Sequence, residues 1–173
     1  MIGGLIAAQA AFAANKDEVR RGAYLVNFGG CFDCHAPKMM TDKGPVPDPA
    51  KGLSGHQANT KVAPMPAGVI GPNLWAGATN SDFTAWIGPW GTSFAANLTS
   101  DKETGIGSWS QDQFVKTMRT GKHLGTGRPI LPPMPWSNVA QLTDGDLKAV
   151  YAYLMSTKPI KNQVPAPIPP KGP

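Results

Sequence analysis

The sequence is poor in the residues that most often carry site chemistry. Its 173 positions hold two cysteines, Cys31 and Cys34, and three histidines. So few cysteines exclude a scaffold stapled by several disulfides. A closed tetrahedral zinc site would lack its fourth ligand and its second spaced ligand pair, since His56 and His123 stand as isolated singles. Charged residues are also scarce, at 16%. The 16 Lys and Arg against 11 Asp and Glu give a net charge of +5. These cations are scattered and form no cluster on one predicted helix, so the footprint of a nucleic-acid binder is missing. No apolar run reaches the ~20 residues of a membrane-spanning helix. No alternating β pattern of any length and no internal repeat is visible.

Glycine (20) and proline (18), by contrast, are abundant. Such a chain is rich in loops, and a large buried cofactor would organise them. Residues 1–14 are apolar and turn abruptly polar at Asn15, with Ala11 and Ala13 placed as an A-x-A cleavage signal. We therefore expect residues 1–13 to be a signal peptide and the protein to be periplasmic, with membrane association through an uncleaved N-terminus as the variant reading. A first helix is expected over 16–29, where Val19, Gly22, Ala23 and Val26 recur at helical spacing and Gly29-Gly30 stops the run. From Ala36 to about Pro89 the pattern dissolves, with short helical turns expected near 80–88 from a Ser81 cap. Ser110 and Gln113 form a capping box for a helix ending at Gly121. A last helix starts at Thr143, carries Leu147, Val150, Tyr151 and Leu154, and is ended by Pro159. The tail 161–173 is Pro-rich and expected to be extended. The fold class expected is all-α, three to five helices with large loops.

Both cysteines fall in one run, G-G-C-F-D-C-H, with His35 directly behind. C-x-x-C-H is the attachment pattern of c-type haem. Two thiols on one turn can each add to a vinyl group along one porphyrin edge, and the following imidazole lies under the iron. A thioredoxin-like C-x-x-C would sit at the mouth of a βαβ unit, and no such strand pattern is present. A six-coordinate iron needs a second axial ligand. Met39 and Met40 follow His35 too closely to reach the far face, and Met118 and Met155 sit in helix patterns. Met134 in P-P-M-P-W and Met65 in A-P-M-P-A remain, with proline neighbours that fix an extended backbone. Met134 is the better choice because it shortly precedes the last helix. Among the histidines, only His123 rivals them.

The blocks G-A-Y-L-V…C-F-D-C-H, N-L-T-S-D-K-E-T-G-I-G-S-W-S, G-R-P-I-L-P-P-M-P-W and L-T-D-G-D-L-K-A-V-Y-A-Y-L resemble class I c-type cytochromes. They are most similar to bacterial single-haem cytochromes and to the cytochrome domains of membrane dehydrogenases such as alcohol and gluconate dehydrogenase. The likeness runs over about 16–160. It implies an all-α class I cytochrome c fold over 14–160, with 40–96 as a loop-rich insertion between the attachment motif and the distal-ligand loop. It implies one haem c held by thioethers at Cys31 and Cys34, with His35 and Met134 as iron ligands. Gly22 would let the terminal helices approach at Tyr153 or Tyr151. Arg128 and Trp136 would bind the propionates, with Asn97 and Trp109 as weaker candidates. The function implied is electron carriage by Fe(II)/Fe(III) cycling, not enzymatic catalysis. Redox proteins with an acidic docking surface, such as a dehydrogenase, oxidase or reductase, would be the partners. The other readings are a haem sensor or peroxidase-like enzyme with an open sixth position, and a cytochrome subunit of a dehydrogenase or oxidase complex.

Overall fold

A computed structural model describes residues 15–170. The expected signal segment 1–13 lies outside the described residues. Asn15 opens helix α1 (Lys16–Phe28): its side chain accepts from the Asp17 N–H at 3.0 Å, and Asp17 and Glu18 sit in the first turn, where the helix dipole favours negative charge. After the Gly29-Gly30 stop, Cys31–His35 form one short helical turn, α2. Helix α3 (Gln111–Thr120) carries the reciprocal Ser110–Gln113 capping box that the sequence predicts. A 3-10 turn follows at His123–Gly125, then the short α4 (Trp136–Val139). Helix α5 (Asp144–Ser156) begins at a Thr143 cap.

Helices α1 and α5 cross at Gly22. A Cβ there would lie 2.6 Å from the Ala149 carbonyl carbon and 2.8 Å from Tyr153 Cβ, so only glycine permits this approach. Val26 sits fully buried beside this crossing on α1. The core unites Val26 with Leu147, Val150, Tyr151 and Leu154 of α5 and with Phe114 and Met118 of α3. Leu53 and Ile106 join it from loops, which pins the irregular segments to the helices.

The all-α expectation is overturned. Two small antiparallel sheets accompany the five helices among the described residues, giving a mixed architecture. Strands β1 (Lys38–Thr41) and β2 (Gly44–Pro47) form a hairpin in the register Lys38↔Pro47. Strands β3 (Ala78–Thr79), β4 (Ala85–Gly88) and β5 (Gly91–Phe94) form the second sheet, with Gly88 facing Gly91 across a two-residue turn. Each strand has at most four residues and several are interrupted by Gly or Pro, too short to write a period of two into the sequence. The helical turns expected at 80–88 are replaced by β4. The Asn80 side chain accepts the N–H groups of Thr84 and Ala85 at 2.9 and 3.0 Å, which folds a tight turn in place of the helix cap expected at Ser81.

Candidate functional site

The turn α2 starts from Gly30 in a left-handed conformation (φ 66°) and sets Cys31 and Cys34 three positions apart, hence on one side of the turn. Both thiols are free. Burial pushes the Cys31 thiol up to about 11, and the Cys34 thiol upward as well. Neither is therefore the low-pKa thiolate of a disulfide oxidoreductase. Lys38 donates its ammonium to the carbonyls of Phe32, Asp33 and Ala36 at 2.9, 2.9 and 2.5 Å, satisfying the orphan C-terminal acceptors of the turn.

His35 is buried, with Nδ1 2.8 Å from the Ala96 carbonyl oxygen. A carbonyl only accepts, so Nδ1 carries the proton and Nε2 keeps its lone pair for a metal. Burial also lowers the affinity of the ring for a second proton, against a weaker opposing effect of the Ala96 carbonyl. The imidazole is thus held neutral, in one tautomer and one orientation, as a metal-ligating histidine requires.

Cys31, Cys34 and His35 form one wall of a cavity of about 450 Å3, within the ~300–1,000 Å3 of small-molecule and cofactor sites. Phe114, Thr117 and Met118 of α3 and Val150 and Leu154 of α5 line its helical side. Met134 lines it from the proline-rich loop, together with Leu131 and Pro133. Met65 is outside the lining, and Met39 and Met40 are exposed on β1. Arg128, Asn97 and Trp109 line the cavity, whereas Trp136 does not: its ring is seated against Gly121. The Asn97 amide is already engaged, donating to Ile160 O at 2.8 Å and to Thr104 Oγ1 at 3.2 Å. His123 also lines the cavity, edge-on to Trp109 with ring centroids 5.1 Å apart. Among the described residues, no three His, Cys, Asp or Glu side chains gather into a metal site of their own.

The Pro-rich segment after α5, expected from sequence to be an extended tail, supplies a wall. Residues 163–167 line the cavity. Asn162 anchors them: its Nδ2 donates to Ser54 O and His56 O at 2.8 and 2.9 Å, and its Oδ1 accepts from Ala58 N at 3.0 Å. Beyond them, Ile168 pairs with Thr92 of β5 through two backbone bonds of 2.8 and 2.9 Å. Gly91, at φ +90°, leaves room for this strand-like approach, since a Cβ would lie 2.7 Å from Pro169 C. Sequence reasoning missed this wall, along with the Ala96 carbonyl and the Lys38 cap. A lone Asn before a proline run gives no periodic signal, and a backbone acceptor 61 positions from its donor gives none at all.

A second, open groove of about 400 Å3 is lined by Asp33, Lys38, Pro45, Phe83, Cys34 and Trp86. Cys34 and Trp86 also line the cavity, so this edge separates the interior from the surface. No helix among the described residues is long and apolar enough to cross a membrane.

No protein-family model matches the chain. Among curated proteins it is similar to the gluconate 2-dehydrogenase cytochrome c subunit of Pantoea cypripedii, with 34% identity over 142 residues, 82% of this chain and 24% of that protein. It shares 40% identity over 90 residues with a subunit of nicotinate dehydrogenase from Pseudomonas putida, 52% of this chain and 8% of that one. The cytochrome c subunit of a quinone alcohol dehydrogenase from Gluconobacter oxydans is 39% identical over 80 residues, 46% of this chain and 16% of that protein. The matched regions thus span a quarter or less of these relatives' own lengths. The chain resembles the cytochrome c subunits of gluconate, fructose and quinone alcohol dehydrogenases. Relatives of that kind imply haem c as the group to test against this cavity. The residues present fit it: two free thiols on one turn, a neutral imidazole with Nε2 available, and a predominantly apolar space bounded by a thioether.

Proposed function

We propose that the chain is an electron carrier that holds one haem c through thioether bonds at Cys31 and Cys34, with His35 and Met134 as axial ligands. The observation that carries the reading is the joint placement of two free thiols and a tautomer-fixed imidazole on one wall of an apolar cavity that Met134 also lines. Haem supplies one-electron chemistry at its iron, and its axial ligands, burial and hydrogen bonding set the potential.

The protein's part is positional. The Ala96 carbonyl aims Nε2 of His35, the prolines around Met134 stiffen its loop, and the 163–167 wall keeps water from the cavity. Arg128 carries a permanent charge to offset a propionate. If His35 and Met134 both held the iron, no position would be left for a substrate, as a carrier requires. The Cys34–Trp86 edge, facing the open groove, is the short route for an electron to a partner.

By analogy with the relatives, the partner is a dehydrogenase, and the net charge of +5 suits an acidic docking face that speeds encounter. The reading includes export to the periplasm after residue 13 and a cytochrome domain over 14–160. The test is an optical spectrum of oxidised and reduced protein, followed by carbon monoxide. Low-spin spectra that ignore carbon monoxide support the carrier, whereas rapid formation of a carbon monoxide adduct would favour an open sixth position and a sensor or peroxidase-like role.

A further inference from the structure

Residues 131–135 include three prolines, Pro132, Pro133 and Pro135, which have no backbone N–H to anchor the loop. Among the described residues, the loop's other hydrogen bonds run to positions within four residues: Met134 N to Leu131 O, Trp136 N to Met134 O, and Asn138 N and Val139 N to Pro135 O. One bond comes from a distant element. The Ser93 hydroxyl of β5 donates to Pro132 O at 2.6 Å, across 39 positions of sequence. Its alternative acceptor, Trp86 O, is 3.5 Å away, so the single hydroxyl proton is directed to Pro132. The Trp90 indole N–H donates back to the Ser93 oxygen at 3.3 Å, which orients the hydroxyl. Ser93 is buried and itself lines the cavity.

The strand's continuation reaches the other side of the site, because Ala96, two residues past the end of β5, accepts from His35. One short segment thus fixes the imidazole by a carbonyl at one end and the methionine loop by a hydroxyl nearer its middle. We infer that Ser93 is a positioning residue for Met134: its hydroxyl holds the loop so that the thioether stays on the iron. This rests on the reading of Met134 as the distal ligand.

The loop must swing aside for an outside ligand to replace the thioether, and the Ser93 bond opposes that opening. Losing one hydrogen bond of this kind shifts such an equilibrium by roughly twofold to tenfold. The experiment titrates the ferric holoprotein with imidazole and follows the sulfur-to-iron band in the near infrared. Ser93→Ala is expected to bind imidazole roughly two to ten times more tightly, while Ser93→Thr, which keeps a hydroxyl, stays near the parent value. Val26→Ala, a truncation in the α1–α5 core, should lower thermal stability without changing imidazole affinity. If Ser93→Ala titrates like the parent, or if Val26→Ala tightens imidazole as much, the positioning role is wrong. Met134→Ala separates the two layers: a band that survives it overturns the ligand assignment, whereas a band that vanishes beside an unaltered Ser93→Ala overturns the inference alone.

Discussion

Replacing Gly22 by alanine tests the helix crossing on which the core is built. The added methyl would sit 2.6 Å from the Ala149 carbonyl carbon and 2.8 Å from Tyr153 Cβ, against the 3.4 Å where ordinary contact begins. The Ala149 carbonyl oxygen lies closer still, and the carbonyl is backbone that cannot rotate away, so α1 and α5 must part or bend. That separation loosens Val26 against α5, where Leu147 and Leu154 are buried and Leu154 also lines the cavity. Overpacking of this kind costs about 1–3 kcal/mol. Alanine returns about 0.5–1 kcal/mol through its better helix propensity, which only partly offsets it. At the midpoints of these ranges the net loss is about 1 kcal/mol, which lowers Tm by roughly 2–4 °C for a domain of this size. Thermal unfolding of the holoprotein followed by circular dichroism reads it directly. A Gly22→Ala protein with unchanged or raised Tm would refute the reasoning, since the propensity gain would then have met no resistance.

Three further outcomes follow from the same geometry. Met134→Ala should abolish the weak sulfur-to-ferric-iron band and lower the reduction potential by roughly 0.1 V or more, within the ~0.8 V that axial ligands command. Met65→Ala should leave both unchanged, and the reverse pattern would move the ligand to Met65. Asn162→Ala strips donors from the carbonyls of Ser54 and His56, at about 1–3 kcal/mol for each one left bare. It should lower Tm and open residues 163–167 to limited proteolysis; protection equal to the parent would show that the wall does not depend on Asn162. His56 is buried against Phe94 and bonded to Thr84 and Thr60, and burial holds its pKa below the usual value, against the opposing pull of the Thr60 carbonyl and then of Asp82. The unfolded chain therefore takes up the proton first. Stability is complete above the unfolded pKa of ~6.5 and falls with acidification below it, by up to ~1.4 kcal/mol per pH unit. His56→Gln should flatten that fall between pH 7 and 5, and an equal slope in both proteins would contradict it.

The helices are legible in the sequence because their signals are local. The Ser110–Gln113 box and the Thr143 cap act within three residues, and the stripe through Val26 follows from spacing, whereas the close packing at Gly22 is what the cytochrome resemblance implies. The turn carrying Cys31, Cys34 and His35 is legible because its chemistry is written in five consecutive residues. The sheets are not. Strands of two to four residues between glycines and prolines hold no measurable alternation, and their pairing is fixed by turn residues such as Asn80 and by Gly91. The same applies to the non-helical side of the cavity. Ser93, Ala96 and Asn162 act on partners 39 to 108 positions away, through single hydroxyl, carbonyl and amide groups that no pattern announces. Trp136 shows how sequence neighbours can part in space. The resemblance makes it a propionate donor beside Met134, while its ring packs on Gly121 and lies outside the cavity lining.

The most direct measurement is the mass of the intact, fully matured protein under denaturing conditions, taken beside Cys31→Ser and Cys34→Ser. The account predicts a mass equal to the polypeptide plus one haem that survives acidified organic solvent. Neither cysteine variant should carry the haem through two thioethers. A mature protein whose mass is that of the bare polypeptide, or whose pigment separates from it in that solvent, would contradict the central claim.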